Sequence, residues 1–202
     1  EFIPNPINEL MDSDQGRPML KIVISGDEGR EEYFLREGET KWIHNTIFNF
    51  GEKGVEGAIN IIYFGNDLQF ISPDSISQFQ MAIQKTDWLE SGKIHPLMVR
   101  ALYSTPNIKF VIADFKPSAT LVTKSEKKKL DGSSTAALRF KIKINDKEGN
   151  LETYGTPGVA GQFQHISLEE FTIEASYGSK EIEVPFTIRL NDFIMDRYPG
   201  TN

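Results

Sequence analysis

Apolar and polar residues alternate with a two-residue period along most of this chain, the pattern of half-buried β-strands. The clearest run is residues 137–145, ALRFKIKIN, in which Leu138, Phe140, Ile142 and Ile144 are separated by Arg139, Lys141 and Lys143. Residues 19–25 alternate likewise, with Leu20, Ile22 and Ile24 on one face. Gly26-Asp27-Glu28-Gly29 then reads as a turn that returns residues 31–36 as a hairpin. A second hairpin flanks Gly65-Asn66-Asp67, between residues 58–64 and 68–71. Residues 41–50, KWIHNTIFNF, read as one aromatic, β-prone segment. Further on, residues 97–103 and 108–115 surround a Ser-Thr-Pro-Asn turn, 119–123 form a strand, and 124–134 form a charged loop. Residues 146–150 fold 137–145 back onto 151–154. Gly155, Pro157, Gly158 and Gly161 then make a looser connection. Finally, residues 168–176 and 181–190 are expected to pair around Tyr177-Gly178-Ser179. In that last strand Phe186, Ile188 and Leu190 face one way, and Thr187, Arg189 and Asn191 the other.

Two stretches are less plainly β. In residues 72–92, Ser72, Pro73 and Asp74 suit a helix start, and Ile76, Phe79 and Ile83 share a helical face. Phe79, Met81 and Ile83 also alternate, so strand and helix both remain open there. Residues 1–18 hold three prolines and little periodicity, and read as an extended arm lying over the surface. The expectation is an all-β or mostly β chain, with at most one or two short helices. It is an antiparallel sandwich or a barrel-like sheet, formed as a single domain over residues 19–202 with room for a waist at 92–106.

Composition adds limits. At 202 residues the chain is long enough to bury a real core without staples, and it has no cysteine. Disulfides, thiolate metal sites and thiol redox chemistry are therefore excluded. The net charge of −7 sits in the first half: residues 1–101 carry 9 Lys/Arg against 16 Asp/Glu, whereas residues 102–202 carry 13 of each. An acidic chain is poorly suited to sequence-independent nucleic-acid binding, so no nucleic-acid partner is expected. No apolar run approaches membrane-span length. The chain begins at Glu1 without a signal-peptide pattern, and is expected to be a piece of a longer protein.

Candidate chemistry is sparse. His44, His95 and His165 are the three imidazoles available to a haem iron, and His44 and His165 have aromatic neighbours in sequence. None belongs to a ligand-spaced pair, no CxxCH site is present, and no metal site is expected. Lys124, Lys127, Lys128, Lys129, Arg139, Lys141 and Lys143 outweigh Glu126 and Asp131, a local excess of +5. That excess is either a solvated hairpin face or a contact for anions such as haem propionates, lipid head groups or an acidic partner. No nucleophile elbow, P-loop, HExxH or dinucleotide fingerprint is present. Glu31-Glu32 and Glu169-Glu170 point to opposite faces if they lie on strands, and no enzymatic activity is expected of this chain. Asp192, Asp196, Arg197 and Tyr198 form the most distinctive cluster, able to lock a sheet end or to seat a partner.

The last stretch, SYGSKEIEVPFTIRLNDFIMDRYPGTN, resembles the periplasmic part of the ResB/CcsB family of system II cytochrome c maturation. That pattern is a Tyr-Gly turn, Leu/Val-Pro-Phe, an alternating strand, Asp-Phe and Arg-Tyr-Pro-Gly-Ser. The matching residues are Tyr177, Gly178, Val184, Pro185, Phe186, Leu190, Asp192, Phe193, Arg197, Tyr198, Pro199 and Gly200, with Thr201 where the family usually has Ser. The resemblance covers roughly residues 168–202 and is weak upstream. It implies a non-catalytic platform on the periplasmic face of the bacterial cytoplasmic membrane, anchored by helices outside this chain. The implied partners are a CcsA/ResC-like membrane subunit or fused domain and apocytochrome c. Haem is handled by the parent complex, which acts as the cytochrome c haem lyase, and this segment itself is expected to bind no cofactor. Two other readings remain: an extracytoplasmic ligand-binding or adhesion-type β-sandwich without a haem connection, and a carbohydrate-active enzyme using paired carboxylates.

Overall fold

The computed structural model describes residues 1–26, 29–180 and 182–193. Among these the regular structure is entirely β. The strands are β1 (Phe2–Pro4), β2 (Pro6–Gly26), β3 (Gly29–Arg36), β4 (Glu39–Ile43), β5 (Thr46–Phe50), β6 (Ala58–Phe64), β7 (Asp67–Ile71) and β8 (Ile76–Gln80). They continue with β9 (Lys85–Leu89), β10 (Ile94–Pro96), β11 (Leu102–Ser104), β12 (Lys109–Ser125), β13 (Ala136–Ile144), β14 (Lys147–Gly155), β15 (Gln164–Leu168) and β16 (Phe171–Ala175). The sheets are open and not closed into a barrel, so the sandwich alternative holds. Two compact units emerge, one comprising Ile7–Lys124 and the other Glu1–Pro6 with Ser125–Asn202.

In the Ile7–Lys124 unit a six-stranded sheet, β3-β2-β12-β11-β8-β9, accompanies a five-stranded sheet, β10-β7-β6-β5-β4. The apolar faces that alternation creates meet in one core. Leu20, Ile22, Ile24, Leu35, Ile76 and Ile112 come from the first sheet, and Ile43, Phe48, Ile59, Ile61 and Phe70 from the second. An aromatic series joins the layers: Tyr103 stacks on Phe110 at 5.2 Å, Phe110 meets Phe48 edge-on at 5.0 Å, and Tyr103 meets Phe70 edge-on at 5.5 Å. Offset and edge-on geometry adds to the area these rings bury.

Several local expectations are revised. Residues 1–18, expected as an extended surface arm, hold β1 and the start of β2. Their side chains bond to β12: Lys116 Nζ reaches Asp12 at 2.6 Å and Lys124 Nζ reaches Glu9 at 2.9 Å. Residues 41–50 are a hairpin rather than one strand, because His44 takes a left-handed backbone (φ 50°) and turns β4 into β5. Residues 72–92 choose the strand. Asp74 N does donate to Ser72 Oγ, but Ile76 and Gln78 both face inward from β8, and Gln78 Nε2 donates to the Tyr103 hydroxyl at 2.7 Å. The sheets are antiparallel except for β5–β6, which run parallel in register Ile47↔Ala58 to Phe50↔Ile61. Parallel neighbours usually need a longer crossover than the residues between them here. This short one is clasped by asparagine, since Asn60 Oδ1 accepts from Asn49 Nδ2 and from Val55 N, and Asn60 Nδ2 donates to Val55 O.

The Tyr103 hydroxyl is fully enclosed, accepting from Gln78 Nε2 and Met98 N and donating to Met98 O. Burial raises its pKa, and those bonds pull in the opposite direction. Tyr103→Phe leaves two buried donors without an acceptor. It should cost about 1–3 kcal/mol by chemical denaturation, while Tyr63→Phe at the surface should change little.

Candidate functional site

In the smaller unit, β13 pairs with β1 on one side and with β14 on the other, and β15–β16 form a separate two-stranded ladder. Gly149 on β14 lacks a Cβ where Ile166 Cδ1 would lie 2.5 Å away, so the β15 side chains settle directly on the strand. The turn between β15 and β16 is Glu169-Glu170, with Glu169 left-handed at φ 55°. β16 is therefore paired backward to β15 and does not form a hairpin with the residues after Tyr177.

Tyr177-Gly178-Ser179 accordingly serves as a docked segment instead of a hairpin apex. A Cβ on Gly155 or on Gly161 would sit 2.4 Å from Tyr177 O, and one on Gly178 would sit 2.4 Å from Gly161 N. Glycine is demanded at these three places by backbone contact, since none of them has a positive φ. Ser179 N donates to Val159 O at 2.8 Å, Gly158 N donates to Ser179 Oγ at 2.8 Å, and Phe2 meets the Tyr177 ring edge-on at 6.5 Å. A small cavity of about 160 Å³ lies beside the dock, with Leu130, Ser134 and Thr156 among its walls.

Beyond this anchor the described residues, 182–193, join no ladder, and the backbone bends at Pro185-Phe186. Ile182, Val184, Phe186, Ile188 and Leu190 occupy every second position and are 58–86 % exposed. Val184 to Leu190 thus keep the strand periodicity that the sequence predicts, but the burial predicted with it is absent. Pro185 removes one backbone donor, which restricts such a strand to an edge or to pairing along one side. Asp192 and Phe193 follow, both exposed, with Asp192 Oδ1 accepting from Phe193 N. Asp196, Arg197, Tyr198, Pro199 and Gly200 lie outside the described residues.

The three histidines stand in three different settings. His44 Nε2 is 3.2 Å from Glu31 Oε2, and the carboxylate, being an acceptor only, accepts a hydrogen bond from the ring N–H. Glu31 also accepts from the Tyr33 hydroxyl; that bond chiefly holds the Glu31 carboxyl below its usual range, burial opposes it, and His44 adds a smaller lowering effect. A shallow cavity of about 360 Å³ opens beside His44, walled mostly by Ser25, Asn45, Asn107 and Lys109. His95 Nε2 contacts Glu90 O at 2.9 Å, and its ring tilts against Phe70. His165 is exposed on β15. None is set in the closed apolar pocket that haem ligation favours, so these residues do not fit an axial set. Among the described residues no group of three or more His, Asp or Glu is placed to hold a metal ion.

The basic series is largely neutralised by its neighbours. Arg139 Nε bonds Glu152 at 2.6 Å across the ladder, and its Nη1 bonds Glu1 at 2.8 Å. Lys141 pairs with Glu148 at 2.7 Å, and Lys143 stands opposite Glu148 in register. Lys124 belongs to the other unit, bonded there to Glu9. Lys127, Lys128 and Lys129 are exposed on a loop that Asn5 holds by donating to the carbonyls of Lys127 and Lys129. Sequence reasoning missed the β14 carboxylates because it counted charge along one strand and not across the pair. The carboxylate neighbours do diverge: Glu31 serves Tyr33 and His44, while Glu32 serves Lys21 and Arg30.

No family model matches this chain, and neither the curated proteins nor the solved structures contain a match.

Gly161→Ala should unseat Tyr177 and cost about 1–3 kcal/mol of unfolding free energy, whereas Gly158→Ala, which faces open space, costs only its backbone strain at φ 80°. The Tyr33–Glu31 bond yields a pH prediction. Tyr33 is raised above its ordinary value chiefly by its bond to Glu31, so the stabilisation it supplies is complete below about pH 10 and fades as pH rises through the folded value. Glu31→Gln should lower the Tyr33 titration midpoint as followed by NMR of the ring, and an unchanged midpoint would show that the bond is absent in solution.

Proposed function

We propose that this chain is a non-catalytic docking module of a ResB/CcsB-like assembly, seated on the periplasmic face of a bacterial cytoplasmic membrane. In that reading it supports haem delivery and attachment to apocytochrome c by holding a CcsA/ResC-like subunit or fused domain, or the apocytochrome itself, in place. Haem is carried by the membrane part of the complex. The observation that carries the reading is the run from Ile182 to Leu190: five alternate apolar side chains, all exposed, on a segment that joins no ladder among the described residues. Fully burying one such side chain is worth about 1.5–3 kcal/mol, so covering the run would reward association strongly. Addition of a strand to a partner's sheet edge supplies main-chain bonds for affinity and alternate side-chain pockets for specificity. The same residues fall within the stretch that resembles the family, with Val184, Pro185, Phe186 and Leu190 at its motif positions.

The glycine dock gives the module its rigidity. It fixes the point from which the strand departs, so a partner meets a preset exit direction and loses less freedom on binding. The absence of cysteine assigns the reduction of apocytochrome thiols to other proteins.

Phe186→Asp and Ile188→Asp, made in the full-length membrane protein, should abolish co-purification of the CcsA/ResC-like partner and reduce holocytochrome c yield. Because both side chains are already exposed, the melting of this chain should shift by no more than about 0.5 kcal/mol. Unchanged co-purification would remove this strand from the interface. In a separate measurement, haem added to the isolated chain should leave the Soret band where free haem has it. A saturable shift lost in His44→Ala, His95→Ala or His165→Ala would instead make the module a haem carrier.

A further inference from the structure

The Ile7–Lys124 unit is acidic, and its cations are mostly spoken for. Lys21, Arg30, Lys41, Lys85, Lys93, Lys116 and Lys124 each have a carboxylate within 4.0 Å. Arg17, Arg36, Lys53, Arg100 and Lys109 do not among the described residues, and of these five Arg17 and Arg36 are set apart by their place. Both line the same cavity, of about 370 Å³, together with Ser13, Gln15, Gly16, Ala119 and Thr120. Strand pairing brings them there. Met19 stands opposite Arg36 in the β2–β3 ladder, and Glu37 N donates to Pro18 O, so the register runs on and makes Arg17 the diagonal neighbour of Arg36. Diagonal neighbours on one face are close enough for long side chains to share a ligand.

The obvious internal partner is already used. Glu39 Oε2 accepts from the backbone N of Arg36 at 3.0 Å and lies 3.9 Å from Lys41 Nζ. No Asp or Glu is among the residues lining the cavity, whereas Ser13, Gln15 and Thr120 are. Beneath them β2 and β12 approach so closely that a Cβ on Gly16 would lie 2.4 Å from Ala119 N, so backbone forms the floor. Guanidinium groups present planar forks that match carboxylate or phosphate oxygens in pairs, and the cavity falls in the size range of small-molecule clefts.

We propose that the Arg17/Arg36 cleft is a binding site for a small organic oxyanion, a carboxylate or phosphate, clamped by the two guanidinia and oriented by Ser13, Gln15 and Thr120. The site is independent of the exposed strand and of the docking role. Its ligand gathers positive charge in a unit whose overall field would otherwise repel it, so recognition depends on these two side chains and not on net charge.

Titration of the full chain with inorganic phosphate and, separately, with succinate tests this at low ionic strength by ¹⁵N NMR. Saturable shifts are expected at the Arg17 and Arg36 Nε–H signals and at the Gly16 and Thr120 amides. Arg17→Gln or Arg36→Gln should each weaken binding at least tenfold, the loss that follows from one charge-assisted hydrogen bond, and Arg17→Lys should recover only part of it. Arg100→Gln, remote from the cavity walls, should change nothing. Tighter binding of one anion assigns the ligand class, and equal binding leaves an oxyanion site without discrimination between them. No saturation with either anion, shifts spread equally over Lys53, Arg100 and Lys109, or full affinity in both glutamine variants would each overturn the proposal.

Discussion

A strand that is apolar on alternate residues has one face that water disfavours, and something must cover it. In the larger unit each sheet covers the other. Tyr103 shows how demanding that arrangement is, because its ring fills the space between Phe70 and Phe110 while its hydroxyl satisfies Gln78 and the backbone of Met98. A buried hydroxyl left without those bonds would oppose the burial its ring provides. The same rule decides β8 over a helix, since only an extended backbone turns Ile76 and Gln78 inward together.

The smaller unit obeys the rule as far as residue 180 and then departs from it. Gly155, Gly161 and Gly178 let two backbone segments touch, and β15 settles on Gly149, so the unit gains close packing from missing side chains more than from large ones. From Ile182 onward the alternation persists but the covering layer does not. A segment with strand-like alternation and its apolar residues in water, limited by Pro185 to pairing on one side, is suited to being offered to another sheet. The docking proposal follows from that mismatch between pattern and burial.

Much of this was legible in the sequence, and the exceptions have physical causes. The hairpins at residues 19–36, 58–71 and 137–154 follow from alternation broken by Gly, Asn and Asp. The His44 turn escaped notice because a histidine, and not glycine, adopts the left-handed backbone there. Prolines hid β2, although Pro6 begins that strand and the chain remains extended beyond it. Tyr177-Gly178-Ser179 carries turn residues, but Gly178 is needed for space and not for its dihedral freedom. Composition alone does not distinguish those uses. For the sites, charge counted along β13 overstated the basic face, because Glu148 and Glu152 come from the paired strand. Arg17 and Arg36 are nineteen positions apart and become neighbours only through the β2–β3 register.

The central claim is that the alternating segment from Ile182 to Leu190 pairs with no other described residue of its chain. Amide hydrogen exchange on the isolated chain tests it most directly. The account predicts that the amides of Glu183, Thr187, Arg189 and Asn191 exchange at nearly free-peptide rates, while those of β13 and β14 are strongly protected. Slow exchange at those four positions, comparable with β13, would mean the strand is already paired and would contradict the account.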